Sequence, residues 1–397
     1  MSASTDGAPA AGRSATAGRP VRRVCVFAQL HGPGLGDMVQ RNMMLSLLHR
    51  AHPDATVTLV LGPKLRAQYA DFLDAHCYAT DLMMCPDPFD TDPEHWKAFL
   101  AELRAREFDL CLVDPGSHGL SAEHAHAAGI KVRLGYPQGR PGDAYLTTPI
   151  RLRPPVLGFP DLYDYASALS GALRIKPPLA SEAVPPLPRK PEELPARRTA
   201  GPLIAIHAVG QPHWNRRWPL DRFGVLGARL VREFDAELCL LGTQSEIKEL
   251  TRLREGVLAE APSAHVRIEA DASLNRTANL LAGADLLIGN DSSLLHVAAG
   301  VGTPTVAILG PTGTQLLWAR VYPRHRGVSL HYPCQGIVHE VDEVAGRECE
   351  FRCTVPYQGP DGPYPRCLTD LGEDKVFQEA AAELRLRPMQ PGGVRAQ

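Results

Sequence analysis

The sequence lacks an excess of charge of either sign, a long apolar run and an apolar leader. Its 42 Lys and Arg residues nearly balance its 44 Asp and Glu residues, which leaves a net charge of −2. That balance argues against nucleic acid or an anionic membrane surface as a partner. No run reaches the ~18 apolar residues of a transmembrane segment. Residues 1–21 are rich in small residues and predict a disordered tail rather than a signal peptide, so we expect a cytoplasmic protein.

The stretch from residue 279 to residue 312 predicts a buried strand, a polar turn, a small-residue helix and a second buried strand. A helix that begins in such a turn directs free N–H groups and its positive dipole end at the ligand crevice of a parallel sheet. An ordinary βαβ unit is the alternative, but consecutive hydroxyl and carboxylate side chains favour a phosphate or nucleotide site. The candidate ligand contacts are Asn290, Asp291, Ser292, Ser293, His296 and Thr312.

This stretch resembles the donor-binding segment of glycosyltransferase family 9, which contains the ADP-heptose:lipopolysaccharide heptosyltransferases. The family pattern is Asp-Ser/Thr-Gly-x-x-His, then Gly-Thr-Pro and Gly-Pro-Thr. It is matched here by Asp291-Ser292-Ser293 with His296, by residues 302–304 and by residues 310–312, with Ser293 in place of the usual glycine. The resemblance covers nearly all of residues 22–380. It implies an α/β fold of GT-B architecture, with two Rossmann-like doubly wound domains facing a central cleft.

Composition and the alternation of strands and helices predict the order of the domains. The Pro-rich, charged stretch 177–201 is typical of an interdomain linker, because βα alternation stops before it and restarts after it. The predicted units are a disordered tail (1–21), an acceptor domain (22–176), the linker (177–201), a nucleotide-sugar domain (202–330), a cysteine-rich finger (331–370) and a C-terminal helix and tail (371–397).

A glycine-rich turn follows the first predicted strand and precedes a helix predicted from Met38. On its residues alone, Asp37 would only cap that helix. The family resemblance instead implies that Asp37 is the general base, with Gly34 and Gly36 on the acceptor side. Asp114 ends another predicted strand and is either a further acceptor contact or a turn residue. The family has Thr and Pro where this chain has Arg41 and Met43, so the resemblance does not determine the identity of the acceptor.

Two further strand-end turns belong to the second predicted domain. Arg216 and Arg217 follow its first strand, where a guanidinium can neutralise a diphosphate, although an arginine pair is more often a solvated surface. The family has a basic residue before Trp-Pro in this turn, which implies a contact with the donor phosphates. By the same resemblance, Thr243 and Gln244 in the next turn are candidate contacts with the base or ribose.

Four of the nine cysteines lie close together near the C-terminus: Cys334, Cys349, Cys353 and Cys367. Four thiolates are the ligand set of tetrahedral zinc or iron. A Pro/Gly-rich segment with little core of its own needs such a metal crosslink to be stably folded. The spacing is not the usual pair of C-x2-C motifs, so unrelated reduced thiols are the alternative. Autotransporter heptosyltransferases carry a similar finger, which implies structural iron or zinc here. No catalytic metal is expected.

We therefore predict an inverting glycosyltransferase that uses a nucleotide-diphosphate sugar, with ADP-heptose implied by the resemblance. The acceptor is a hydroxyl of a glycan, a protein or a natural product, and an oligomeric state is compatible with the sequence. Two alternatives remain. A nucleotide-sugar epimerase or hydrolase of the same fold would act without an acceptor. A non-catalytic nucleotide-binding module would use the metal finger to bind a partner.

Overall fold

A computed structural model provides the structure of the chain. It describes residues 20–28, 34–114, 117, 120–152, 161–210, 216–310, 321–330, 332, 357–359 and 362–386. The predicted tail thus lies almost entirely outside the described residues, as do Thr312, Cys334, Cys349 and Cys353. Within the described ranges, no helix combines the length and the apolar character that crossing a membrane requires.

The first half of the chain forms a parallel six-stranded sheet with helices between the strands. Its strands are β1 (Arg23–Phe27), β2 (Thr56–Leu61), β3 (Asp81–Met84), β4 (Leu110–Val113), β5 (Val132–Gly135) and β6 (Thr148–Pro149). Its helices are α1 (Leu35–Ala51), α2 (Pro63–Gln68), α3 (Ala70–Ala75), α4 (Pro93–Ala105), α5 (Ala122–Ala127) and α6 (Leu162–Leu173). The strand order is β3-β2-β1-β4-β5-β6, a doubly wound arrangement in which the chain reverses direction across the sheet at β1.

The second half repeats this design. Its strands are β7 (Leu203–His207), β8 (Glu237–Gly242), β9 (Val266–Ala270), β10 (Leu286–Asn290), β11 (Thr305–Ile308) and β12 (His325–Val328), in the order β12-β11-β10-β7-β8-β9. Its helices are α7 (Leu220–Phe234), α8 (Ile247–Glu260), α9 (Leu274–Gly283) and α10 (Ser293–Val301). A short hairpin of β13 (Tyr357–Gly359) and β14 (Gly362–Tyr364) follows, and then α11 (Arg366–Thr369) and α12 (Glu373–Arg385).

The strands form because their side chains are apolar on both faces, as sheets covered by helices on both sides require. All five residues of β7 and of β10 are buried. α10 ends at Gly302, whose φ of +77° is the left-handed conformation that glycine adopts without strain. The two α/β domains confirm the predicted GT-B fold.

The segment between the two sheets packs against both of them. Tyr78 donates its hydroxyl hydrogen to the carbonyl of Pro186 at 2.7 Å, which ties the segment to the first domain. The Leu187 N–H donates to the Gly300 carbonyl at the end of α10, also at 2.7 Å. The predicted linker therefore contacts both domains.

The two domains also meet directly, where α1 packs against α10. Both helices begin at the carboxyl edge of their sheets, α1 after β1 and α10 after β10. The helix starts that carry the candidate base and the candidate donor contacts therefore lie on either side of the same junction.

Candidate functional site

The start of α10 is built differently from an ordinary capped helix. Ser292 is the N-cap residue, but its side chain makes no capping hydrogen bond. The Ser292 Oγ instead lies 3.0 Å from Nδ1 of His207, at the end of β7. The hydroxyl therefore does not occupy the first N–H groups of α10, which are the groups that bind anions at helix starts.

His207 is enclosed by the backbone around it. A Cβ atom on Gly210 would lie 2.5 Å from the His207 ring, and a Cβ on Gly289 would lie 2.9 Å from the His207 carbonyl oxygen. Burial lowers the pKa of His207, with Glu246 acting in the opposite direction. A neutral, enclosed imidazole thus sets the direction of the Ser292 hydroxyl.

Arg216 and Arg217 contact different parts of the site. The Arg216 guanidinium lies 4.0 Å from the carboxylate of buried Asp291, beside the start of α10. Arg217 donates from Nε to the Gly210 carbonyl at 3.3 Å and so helps to hold its own loop. The structure therefore places Arg216 beside the start of α10 and ties Arg217 to the loop after β7.

Asn290, a predicted donor contact, is directed into the protein. Its Oδ1 accepts a hydrogen bond from the Trp218 N–H at 3.0 Å, and its Nδ2 donates to the Ala208 carbonyl at 2.7 Å. Its amide therefore supports the loop that carries Arg216.

Glu246 joins two loops at the carboxyl edge of the second sheet. One carboxylate oxygen accepts from the Gly210 N–H and the other accepts from the Thr243 N–H, both at 2.8 Å. The exposed Thr243 hydroxyl is 2.8 Å from the hydroxyl of Ser245, and Gln244 beside it is also exposed. The predicted base or ribose contacts thus lie on a surface loop that Glu246 fastens to the loop after β7.

On the other side of the junction, Asp37 lies in the first turn of α1, which begins three residues earlier than predicted. Its Oδ2 accepts a hydrogen bond from the N–H of Gly34, the N-cap residue, at 2.7 Å. The side chain is nevertheless exposed. Asp37 therefore caps the helix and also presents a carboxylate at the junction, so the geometry accommodates both of the roles considered for it.

Gly36 is where the two halves of the site touch. A Cβ atom on Gly36 would lie 2.5 Å from Cδ2 and 2.8 Å from Nε2 of His296, a residue of α10. Nδ1 of His296 is 2.5 Å from the Tyr322 hydroxyl, and burial holds the pKa of the imidazole well below its usual range. His296, a predicted donor contact, is thus neutral and forms part of the junction between the domains.

Asp114, a predicted acceptor contact, is buried at the end of β4. Its carboxylate accepts a hydrogen bond from Nε of Arg41, and both side chains are almost completely inaccessible to solvent. Arg41 lies one turn beyond Asp37 on α1, at a position where the family pattern has another residue type. The structure therefore explains this departure as one half of a buried ion pair.

Only partial signals for the supporting residues are present in the sequence. The Thr243-x-x-Glu246 spacing matches a capping box, and the structure contains one at this position. His207 ends a buried strand at the sheet edge where ligands bind, which is a general signal. Tyr322 belongs to no recognisable motif, so the sequence did not indicate it.

Cys367 alone among the four clustered cysteines lies in the described part of the chain, where it is buried in the core of the second domain. The same core includes Trp218, whose indole N–H donates to the Leu371 carbonyl at 2.8 Å. The end of the predicted finger is thus attached to the loop that carries Arg216. No group of metal-binding side chains occurs within the described residues.

Two Rossmann-like domains that meet at an exposed carboxylate and an uncapped helix start form the architecture of a GT-B glycosyltransferase. The sequence profile of glycosyltransferase family 9 (heptosyltransferase) matches residues 96–346, which is more than half of the chain. The chain belongs to this family and is a glycosyltransferase.

Curated relatives match a shorter part of the chain. Lipooligosaccharide heptosyltransferase 2 of Haemophilus influenzae is 29% identical over 100 residues, which cover 25% of this chain and 29% of the relative. The corresponding enzyme of Haemophilus ducreyi is 28% identical over 113 residues, which cover 28% of this chain and 32% of the relative. The aligned part of the chain thus spans about a third of these relatives or less.

Solved structures match the fold over a longer range. The family 9 glycosyltransferase of Veillonella parvula has a TM-score of 0.63 at 16% identity, and the alignment covers 92% of this chain and 98% of that one. The ADP-heptose lipopolysaccharide heptosyltransferase II of Escherichia coli has a TM-score of 0.59 at 18% identity, with coverage of 92% and 99%. At these identities the similarity establishes the fold.

Proposed function

We propose that this glycosyltransferase transfers a heptose from ADP-heptose to a hydroxyl group of a glycan, a protein or a natural product, with inversion at the sugar carbon. Membership of the heptosyltransferase family supports the choice of sugar. A structural relative, an Escherichia coli heptosyltransferase with a TM-score of 0.53, was solved with ADP, which supports the choice of nucleotide. The observation that carries the proposal is the uncapped start of α10 opposite Asp37.

The donor diphosphate would bind at the start of α10. The N–H groups there and the hydroxyls of Ser292 and Ser293 donate hydrogen bonds to phosphate oxygens, and the helix dipole favours their charge. Arg216 adds a cation, and Thr243 and Gln244 flank the nucleotide. These groups stabilise the charge that builds on the diphosphate as its bond to the sugar carbon breaks.

Asp37 would accept the proton of the acceptor hydroxyl. As that proton leaves, the acceptor oxygen forms its bond to the sugar carbon from the face opposite the diphosphate. The bond between the sugar carbon and the diphosphate oxygen breaks, and ADP leaves with the electron pair. Gly34 leaves the backbone beside Asp37 without a side chain, where the acceptor would approach, whereas Gly36 lies against the His296 ring.

Titration calorimetry of ADP, GDP, UDP and ADP-heptose tests the donor site. We expect ADP and ADP-heptose to bind, and the double variant Ser292→Ala/Ser293→Ala to bind them about tenfold or more weakly, because charge-assisted hydrogen bonds are lost. Ser46→Ala is the matched control, since its hydroxyl bonds the Met43 carbonyl in the middle of α1. A preference for GDP or UDP would overturn the choice of nucleotide, and binding of none would overturn the site.

Asp37→Asn tests the chemistry. We expect it to lower sugar transfer by about 10²-fold or more, the usual contribution of a general base, while the ADP affinity stays unchanged. Purified protein that releases ADP from ADP-heptose without ever forming a glycosylated acceptor would support the epimerase or hydrolase alternative instead.

We also propose that Cys334, Cys349, Cys353 and Cys367 hold a structural iron or zinc ion. Cys367 is anchored in the core of the second domain, and its thiol would bind the ion as a thiolate. The ion would fasten the finger beside the Arg216 loop and take no part in transfer. Elemental analysis should find one iron or zinc ion per chain. The ion should be lost in Cys367→Ser and retained in the control variant Cys77→Ser. Purified protein without stoichiometric metal would contradict the proposed site.

A further inference from the structure

Tyr322 lies just before β12, outside every motif, and is 5% exposed. Its hydroxyl is 2.5 Å from Nδ1 of His296. Its ring meets two histidines edge-on, with centroid distances of 5.7 Å to His296 and 5.9 Å to His325. The second domain therefore holds this phenol firmly from two directions.

The same hydroxyl lies near the first domain. Two side chains of α1 influence its pKa: Gln40 lowers it and the Asp37 carboxylate raises it. Gln40 lies three residues after Asp37, so both side chains lie on the same face of α1. Tyr322 thus bonds His296 of α10, the helix of the candidate donor site, and the His296 ring lies against Gly36 of α1, the helix of the candidate base.

We propose that Tyr322 is a positioning residue, whose hydroxyl fixes the start of α1, and with it Asp37, relative to α10. This inference rests on the proposed function, because it assigns Tyr322 to the geometry of the transfer step. Gly36 lies directly against the His296 ring, so the two helix starts are in contact and a small rotation of one displaces the other.

The contact itself carries no charge. Burial is the main cause that raises the pKa of Tyr322 well above its usual range, whereas burial lowers that of His296. A neutral phenol bonded to a neutral imidazole can orient Asp37 without neutralising its carboxylate. Tyr322 therefore acts through position rather than by proton transfer.

Tyr322→Phe removes the hydroxyl and keeps the buried ring. We expect the release of ADP from ADP-heptose to fall about tenfold, the rate equivalent of one lost hydrogen bond, with the ADP dissociation constant unchanged. Tyr78→Phe is the matched control, because that hydroxyl bonds the Pro186 carbonyl in the segment between the sheets rather than a residue of α1 or α10. Equal turnover in Tyr322→Phe and Tyr78→Phe would overturn the proposal.

A double-mutant cycle separates positioning from general destabilisation. If Tyr322 acts through Asp37, Tyr322→Phe should change the residual rate of Asp37→Asn by no more than about twofold. A full tenfold loss in that background would show that Tyr322 acts elsewhere. Gln40→Leu removes the polar α1 side chain that acts on the Tyr322 hydroxyl, and it should change turnover in the same direction as Tyr322→Phe.

Amide hydrogen exchange tests the contact without any ligand. Tyr322→Phe and Gln40→Leu should both speed exchange in the first turns of α1 relative to Tyr78→Phe, because opening of this helix start no longer breaks the contact. Unchanged exchange would reject the inference. A protein that binds no ADP yet shows faster exchange would reject the proposed function while leaving the contact in place.

Discussion

Gly36→Ala is predicted to destabilise the protein, although alanine is the better helix former. Within a helix, replacing glycine with alanine normally stabilises by about 0.5–1 kcal/mol. At Gly36 the added Cβ would lie 2.5 Å from the His296 ring, so the ring or the helix must move by about 1 Å to restore ordinary contact. Such overpacking costs about 1–3 kcal/mol, which reverses the sign of the change.

The movement has two possible routes, and both lower activity. Rotation of the His296 ring breaks its hydrogen bond to Tyr322, whereas separation of α1 from α10 moves Asp37 away from the donor site. A displacement of about 1 Å between reacting groups can cost about 10²-fold in rate. We therefore expect a large loss of turnover in addition to the loss of stability.

Denaturant unfolding and ADP release from ADP-heptose provide the measurements. Gly171→Ala in α6 is the control, because a Cβ there would meet no atom within 4 Å. It should stabilise the protein, and Gly36→Ala should destabilise it. If Gly36→Ala is as stable and as active as Gly171→Ala, the close approach of α1 to α10 is refuted.

Three further predictions follow from single contacts. Arg216→Ala should weaken ADP binding more than Arg217→Ala in calorimetry, because Arg216 lies beside the α10 start; equal losses would contradict this. Arg41→Met should cost about 3–5 kcal/mol by removing the cation beside the buried Asp114 carboxylate, and adding Asp114→Leu should recover most of it, as unfolding would report. Burial lowers the pKa of His325 to about 4, below the unfolded value of 6.5, so stability is lost as pH falls from 6.5 towards 4, by about 3 kcal/mol at most. His325→Gln should reduce that dependence and leave the part due to His207 and His296, and an unchanged profile would reject the prediction.

Most of the fold was predictable because parallel strands between helix layers are apolar on both faces. The apolar runs of the sequence predict strands over residues 56–61 and 203–207, and β2 and β7 have these bounds. Other predicted strands differ from the observed ones by a few residues at their ends. β12 was not predicted, since its sequence HRGV is polar and only Val328 in it is buried. The sequence also predicts one helix over residues 64–75, whereas the structure has two helices there, α2 and α3, divided at Tyr69.

The site was predictable where a motif lies next to a strand end and unpredictable where it depends on contacts between the domains. Ser292 and Asp37 could be placed at helix starts from sequence alone. That the Ser292 hydroxyl turns to His207, or that His296 faces Gly36, depends on how distant segments pack. Residue type indicates what a side chain can do, but the fold decides which of its neighbours it meets.

The proposed reaction separates charge across the junction, and the neutral contact there suits that task. Asp37 would gain a proton on one side while ADP gains negative charge on the other. A protonated His296 beside Gly36 would stabilise ADP, but it would also lie near Asp37 and make that carboxylate a weaker base. Burial keeps the imidazole neutral, so Arg216 and the α10 N–H groups can stabilise ADP without opposing proton transfer to Asp37.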